Sequence, residues 1–203
     1  SDVCSSDLTG KVIVAGLAVD ADGLVYVGTS PDGKVYRIDK EGRAQVFFDP
    51  EEKYIWSITL LDDAVYVATG EEAKLYRLPL DFKLGDDAEV VFSATQSHVD
   101  EVTVASDGTL LVSTSPFGYL HRIDSEGEAE ILFNSGDEEI TGIRELEDGS
   151  LLVSTYNEPK GSGNSSGNGG PSSGNGKNPS SSPMDLPKIL EAMQSGKFDT
   201  KKL

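Results

Sequence analysis

Asp20-Ala21-Asp22-Gly23 is the first stretch of the chain whose side chains could do chemistry, since carboxylates at alternate positions before a glycine open a calcium-binding loop. The downstream ligands and closing Glu of such a loop are absent. The equivalent turns Ser106-Asp107-Gly108 and Glu147-Asp148-Gly149 have hairpin composition, so a turn is the favoured reading. Arg37, Arg77 and Arg122 recur regularly and could form an anion-binding ring. Gln45, Glu89 and Glu130 stand at matching register one strand on, so cross-strand pairs on an exposed sheet face are expected instead. The two histidines, His98 and His121, match no zinc-ligand spacing. Residues 11–156 contain no nucleophile elbow, P-loop or dinucleotide fingerprint.

The elements that would position these residues repeat. DGLVYVGTSPDGKVYRID (22–39) returns as DDAVYVATGEEAKLYRLP (62–79) and DGTLLVSTSPFGYLHRID (107–124). A threonine closes the second strand of each unit at Thr29, Thr69, Thr114 and Thr155. Paired apolar positions recur at Val14/Leu17, Ile55/Ile58, Val99/Val102 and Ile140/Ile143. Within the second unit, period-2 alternation and Val, Ile, Tyr and Phe predict four strands, near 54–61, 64–69, 74–78 and 88–92. Asp-Gly and Glu-Gly pairs supply the turns. Four strands in roughly forty residues is the pattern of a β-propeller blade. Residues 11–156 hold three such units and the first two strands of a fourth. The fold class is therefore all-β, an incomplete propeller of about three and a half blades, an open wedge with apolar end faces. Missing blades of the same chain are expected to complete it.

The ends read differently. Residues 1–10 form a leader, of which SDVCSSDL (1–8) resembles a translated sequencing adapter, so the native N-terminus is expected upstream. The Gly-, Ser- and Asn-rich segment 157–183 reads as a disordered linker, and 184–203 as a tail with one short helix near 186–195. The net charge is -18, and residues 161–203 carry five lysines against three acids, so the acidic excess lies entirely in the first 160 residues. Such a surface disfavours nucleic acid and anionic lipid, and no apolar run is long enough for a membrane span.

Function is expected where the blades differ from one another. In propellers the loop between blades and the loop between second and third strands open onto one face. Their aligned slots give Tyr54 and Trp56, then His98 and Asp100, then Glu139 and Thr141 from the first loop. Asp32, Phe117 and Tyr119 come from the second. An indole beside carboxylates, a His and exposed aromatics could line a ligand site. The competing reading has Trp56 packing between blades.

VYVGTSPDGKVYRID and VFFDPEEKYIWSITL resemble blades of uncharacterised bacterial propellers, in the neighbourhood of WD-repeat and NHL-repeat proteins. The resemblance covers residues 11–156. The Gly-His and Trp-Asp signature of WD repeats, the double glycine of kelch repeats and the tryptophan-docking pattern of quinoprotein blades are absent. It implies a non-catalytic scaffold or binding module for a protein, peptide or glycan, without cofactor. The alternative is a metal-dependent hydrolase or lyase of the gluconolactonase type, with a calcium ion in the central channel near Asp100, Glu101 or Glu139. The family's Glu, Asn and Asp ligands do not map onto this chain. For a bacterial protein of this kind the periplasm or the exterior is the expected compartment.

Overall fold

Every blade begins with a strand carrying two apolar residues three apart, and the computed structural model shows how each is paired. The structure describes residues 12–157. The leader, Cys4, the linker beyond Asn157 and the tail helix read from the sequence lie outside the described residues.

Fourteen strands follow in order: β1 Ile13–Val19, β2 Val25–Ser30, β3 Val35–Ile38, β4 Ala44–Phe48, β5 Ile55–Leu61, β6 Ala64–Thr69, β7 Lys74–Pro79, β8 Glu89–Ser93, β9 His98–Val104, β10 Leu110–Ser115, β11 Tyr119–Ile123, β12 Ala129–Asn134, β13 Glu139–Glu145 and β14 Leu151–Tyr156. They form three antiparallel sheets of four strands in sequence order and a fourth sheet of β13 and β14. No helix occurs among the described residues. The strand limits expected for the second unit hold to within a residue.

The cores lie between the sheets. Tyr26, Val35, Phe47 and Phe48 of the first blade pack on Ile55, Ile58, Val65, Val67, Tyr76 and Leu78 of the second. A second core joins Ala68 and Leu75 to Val99, Val102 and Val112, and a third joins Leu111 and Leu120 to Ile140 and Ile143. Rings of Tyr26, Phe47, Phe48, Tyr76 and Phe82 meet edge to face at 5.0–5.7 Å, the arrangement their quadrupoles favour.

The recurring threonine now has a physical role. Thr29 and Thr69 are fully buried, and their hydroxyls donate to the carbonyls of Lys34 and Lys74 across the next hairpin, at 2.9 and 3.1 Å. Thr114 instead shares its hydroxyl with Nε2 of buried His121 at 3.3 Å, where a histidine fills the slot of Tyr36 and Tyr76.

The arginines pair as expected but do not face outward. Arg37 lies opposite Gln45, Arg77 opposite Glu89, and Arg122 opposite Glu130. Arg77 meets Glu89 at 3.3 Å, and Gln45, with its amide oxygen toward the guanidinium, accepts from Arg37 Nη2 at 2.8 Å. Arg37 also donates to the carbonyl of Leu80 in the second blade at 3.3 Å and lies 5.2 Å over the ring of Phe47. Tyr26 and Arg37 are directly paired across β2 and β3, and Tyr26 is core. Arg37 therefore lies in the seam between blades, its stem covering apolar surface while its head stays wet.

Candidate functional site at the hub

β1, β5, β9 and β13 each form the edge of their own sheet and pack beside one another, so together they make the hub. Each carries the same irregularity. Pairing with the second strand slips by one between Val14 and Gly16, between Ile55 and Ser57, and between Ile140 and Gly142. In the third blade Ser113 pairs with Glu101 and Thr114 with Val99. Ala15, Trp56, Asp100 and Thr141 are thus the extra residues of four bulges in one slot. A bulge kinks the strand and re-aims the unpaired side chain, a device common beside active sites. All four line one hub cleft of about 360 Å³, with Gly16, Ser57 and Glu101 among its other walls.

Trp56 is held from two sides. The ring of Tyr54 stacks on it at 5.1 Å with an 11° interplanar angle. Its indole N–H donates to Nδ1 of His98, on the next blade, at 3.4 Å. The same Nδ1 accepts the backbone N–H of Glu71 at 3.4 Å, so the hydrogen of the neutral ring sits on Nε2. Gly70 makes room for this: a Cβ there would lie 2.6 Å from Trp56 Nε1 and 2.7 Å from His98 Nδ1. Lys53, next to Tyr54, and Glu71, whose N–H meets His98, form an exposed ion pair at 2.6 Å. The loops between blades and the loops after second strands do meet on one face, as the sequence implied. Trp56 bridges two blades and lines the cleft at once.

Asp100 is largely buried. Ser115 donates to its Oδ1 at 2.9 Å, while Oδ2 is buried without a partner. Burial, with the charge of Glu139 adding to it, pushes this carboxyl up to about 7 against the lowering effect of the Ser115 bond. Glu101 beside it is also raised by burial, opposed by a backbone N–H bond from Ile143 and the charge of Arg144.

The other expected residues stand elsewhere. Phe117, 62% exposed with φ of 90°, and Tyr119 line a separate cleft of about 370 Å³ with Asn134, Asp137 and Glu138. Asp32 is exposed at the tip of its loop, and Glu139 reaches the site through its charge on Asp100. Sequence reasoning missed Ser115 and Gly70. Both occupy the slot of Ser30, and the glycine breaking that Ser pattern in the blade of Trp56 was the available signal. It also missed Glu52, buried between blades, whose Oε1 accepts the hydroxyl of Tyr76 at 3.1 Å while Oε2 has no partner.

Among the described residues no three His, Cys, Asp or Glu side chains are grouped to hold a metal ion. Asp100, Glu101 and Glu139 are thus not grouped as a three-carboxylate site.

No protein-family model and no curated protein matches the chain. Solved structures do. A virginiamycin B lyase from Staphylococcus aureus superposes with a TM-score of 0.58 at 17% identity, covering 68% of this chain and 47% of that one. A putative gluconolactonase gives 0.59 at 18% identity over 72% and 57%. The calcium-binding protein regucalcin from Agrobacterium tumefaciens gives 0.57 at 21% identity over 70% and 53%. The chain thus spans about half the length of the structures it matches. At these identities the likeness is one of fold: the four sheets are β-propeller blades.

Proposed function

We propose that this chain is a non-catalytic binding module whose hub mouth takes an extended protein, peptide or glycan segment. The observation that carries the reading is the shared bulge slot. It turns an indole braced by Tyr54 and His98, a buried carboxyl and a hydroxyl toward one cleft. An aromatic face with a few convergent polar groups is the usual make-up of a ligand pocket. Trp56 supplies flat apolar area, while Asp100 and Thr141 supply polar partners for ring hydroxyls or peptide amides. Phe117 and Tyr119 offer a second contact for a longer ligand.

Trp56 is the only tryptophan, so its emission reports on this site directly. Titration of the 203-residue chain with oligosaccharides and short peptides should shift Trp56 emission for at least one class. The shift should vanish in Asp100→Ala. Ligands that bind by calorimetry yet leave Trp56 emission unmoved would place recognition elsewhere and defeat the proposal.

One observation favours a second reading, a hydrolase or lyase. A carboxyl near 7 is divided between acid and base at neutral pH, which suits proton transfer. Under that reading Asp100 moves the proton and Ser115 orients it. The matched lyase and putative gluconolactonase lend this only the analogy of a shared fold. Turnover of lactone or cyclic ester substrates that disappears in Asp100→Asn, with ligand binding retained, would select it over the binding module.

A further inference from the structure

The seam between the first and second blades is closed by a piece of chain that the next seam lacks. Nine residues, 80–88, join β7 to β8, whereas five join β3 to β4 and five join β11 to β12. The longer loop reaches the first blade. Leu80 gives its carbonyl to Arg37 at 3.3 Å, while its own N–H bonds the carbonyl of Asp63 at 3.0 Å. Phe82, only 5% exposed, sets its ring 5.7 Å from both Phe47 and Phe48. Under this plug Tyr26 and Phe47 are 0% and 2% exposed.

The repeat puts the same slots in the seam between the second and third blades. Tyr66 stands for Tyr26, Arg77 for Arg37, Val91 for Phe47 and Phe92 for Phe48. The loop that would carry a plug is the short 124–128, and a groove of about 520 Å³ opens between it and the second blade. Tyr66, Arg77, Val90 and Val91 line one side, with Leu110 and Ile123 on the other. Tyr66 and Val91 are only half-buried here, and Val90 is 45% exposed. The groove is also acidic: Asp62, Glu89, Asp124 and Glu126 line it against the one guanidinium of Arg77. In the closed seam two of these acids have uncharged counterparts, Gln45 for Glu89 and Pro79 for Asp124. Arg77 reaches Glu89 at 3.3 Å, Asp63 at 3.6 Å and the hydroxyl of Tyr66. A guanidinium has five N–H groups, so donors remain for a further acceptor.

We infer that this groove docks a peptide of a partner protein, one with an aromatic residue flanked by lysine or arginine. The aromatic ring takes the place on Tyr66 and Val91 that Phe82 fills one seam earlier, as a buried anchor. A backbone carbonyl takes the place of the Leu80 carbonyl and accepts from Arg77. The basic neighbours meet the four carboxylates, which select them over acidic sequences. The groove shares no lining residue with the hub cleft, so it stands whatever binds at the hub.

The probe is a fluorescein-labelled peptide, Leu-Lys-Phe-Lys-Leu, the sequence of 80–84 with lysine in place of Asp81. Titrated with the 203-residue chain, its anisotropy should rise and saturate at one site. The peptide with alanine for phenylalanine keeps the charge and should bind at least about tenfold more weakly. Ser125→Trp, at an exposed turn position lining the groove, should fill it and abolish binding; Glu126→Lys, also exposed, should weaken binding severalfold. A wild-type chain without saturable binding overturns the inference. So does equal binding of the alanine peptide, which would mean attraction to the acidic surface alone. Either variant, folded by circular dichroism and binding as the wild type does, places the peptide elsewhere and overturns it too.

Discussion

The indole N–H of Trp56 in the second blade donates to Nδ1 of His98 in the third, forty-two residues away, at 3.4 Å. That bond ties the aromatic wall of the hub cleft to the seam between two blades. Its survival depends on a residue with no side chain, Gly70, packed against both rings.

Gly70→Ala should therefore force the two rings apart. Overpacking of this kind costs about 1–3 kcal/mol. The fluorescence of the only tryptophan should shift to the red as its partner leaves, and a denaturant melt should move to lower concentration. Unchanged emission and an unchanged melt would show that the rings yield at no cost.

Asp100 makes stability depend on pH in an unusual direction. Folding raises its carboxyl from 3.8 to about 7, so the folded state holds the proton more tightly. Its contribution to stability is then greatest at low pH, falls as pH rises from about 4 to about 7, and is flat above. Asp100→Asn keeps an acceptor for Ser115 without the buried charge. It should raise stability at pH 8 by about 1–3 kcal/mol, and by much less at pH 5. Thermal melts of both proteins at the two pH values measure the difference, and an equal effect at both would exclude burial of the charge as the cause.

Glu52 and Tyr76 are a buried pair between the first two blades. Burial and the charge and hydrogen bond of Glu52 push the Tyr76 phenol up to about 12. Tyr76→Phe removes the donor and leaves a carboxylate whose other oxygen already lacks a partner, at a cost of about 1–3 kcal/mol. In a double-mutant cycle, Tyr76→Phe should be nearly neutral once Glu52 is Leu. Additive effects would mean the two groups do not interact.

Ile58 and Leu17 occupy the same repeat slot with opposite surroundings. Ile58→Ala should cost about 2–5 kcal/mol at any protein concentration, because its cavity lies within one chain. Leu17→Ala, at a position 61% exposed, should change stability by no more than about 0.5 kcal/mol. Denaturant melts of the two variants measure the contrast, and equal losses would mean that the two slots are alike in burial.

Much of the fold was legible because blade structure is local. Alternation in VYVGTS and AVYVAT marks buried second strands, and Asp-Gly pairs mark hairpins, from contacts spanning a few residues. The cross-strand partners of Arg37, Arg77 and Arg122 could be named for the same reason, yet their direction could not. Which face of a strand meets the next blade depends on how sheets stack, and that placed Arg37 against Leu80.

The hub shows the same division. The sequence by itself determined that Tyr54, Trp56, His98 and Asp100 fall in slots where blades differ, but it read those slots as loops, whereas Trp56 lies in β5 and His98 and Asp100 in β9. Only the tertiary structure decided which of them act together. A bulge is a slip in pairing between strands, invisible in the order of residues, and four of them bring Ala15, Trp56, Asp100 and Thr141 to one cleft while Phe117 and Tyr119 line another. The carboxyl of Asp100 is likewise an ordinary aspartate in the sequence; burial at the joint of three blades, beside Ser115 and Glu139, is what lifts its proton affinity to neutral pH.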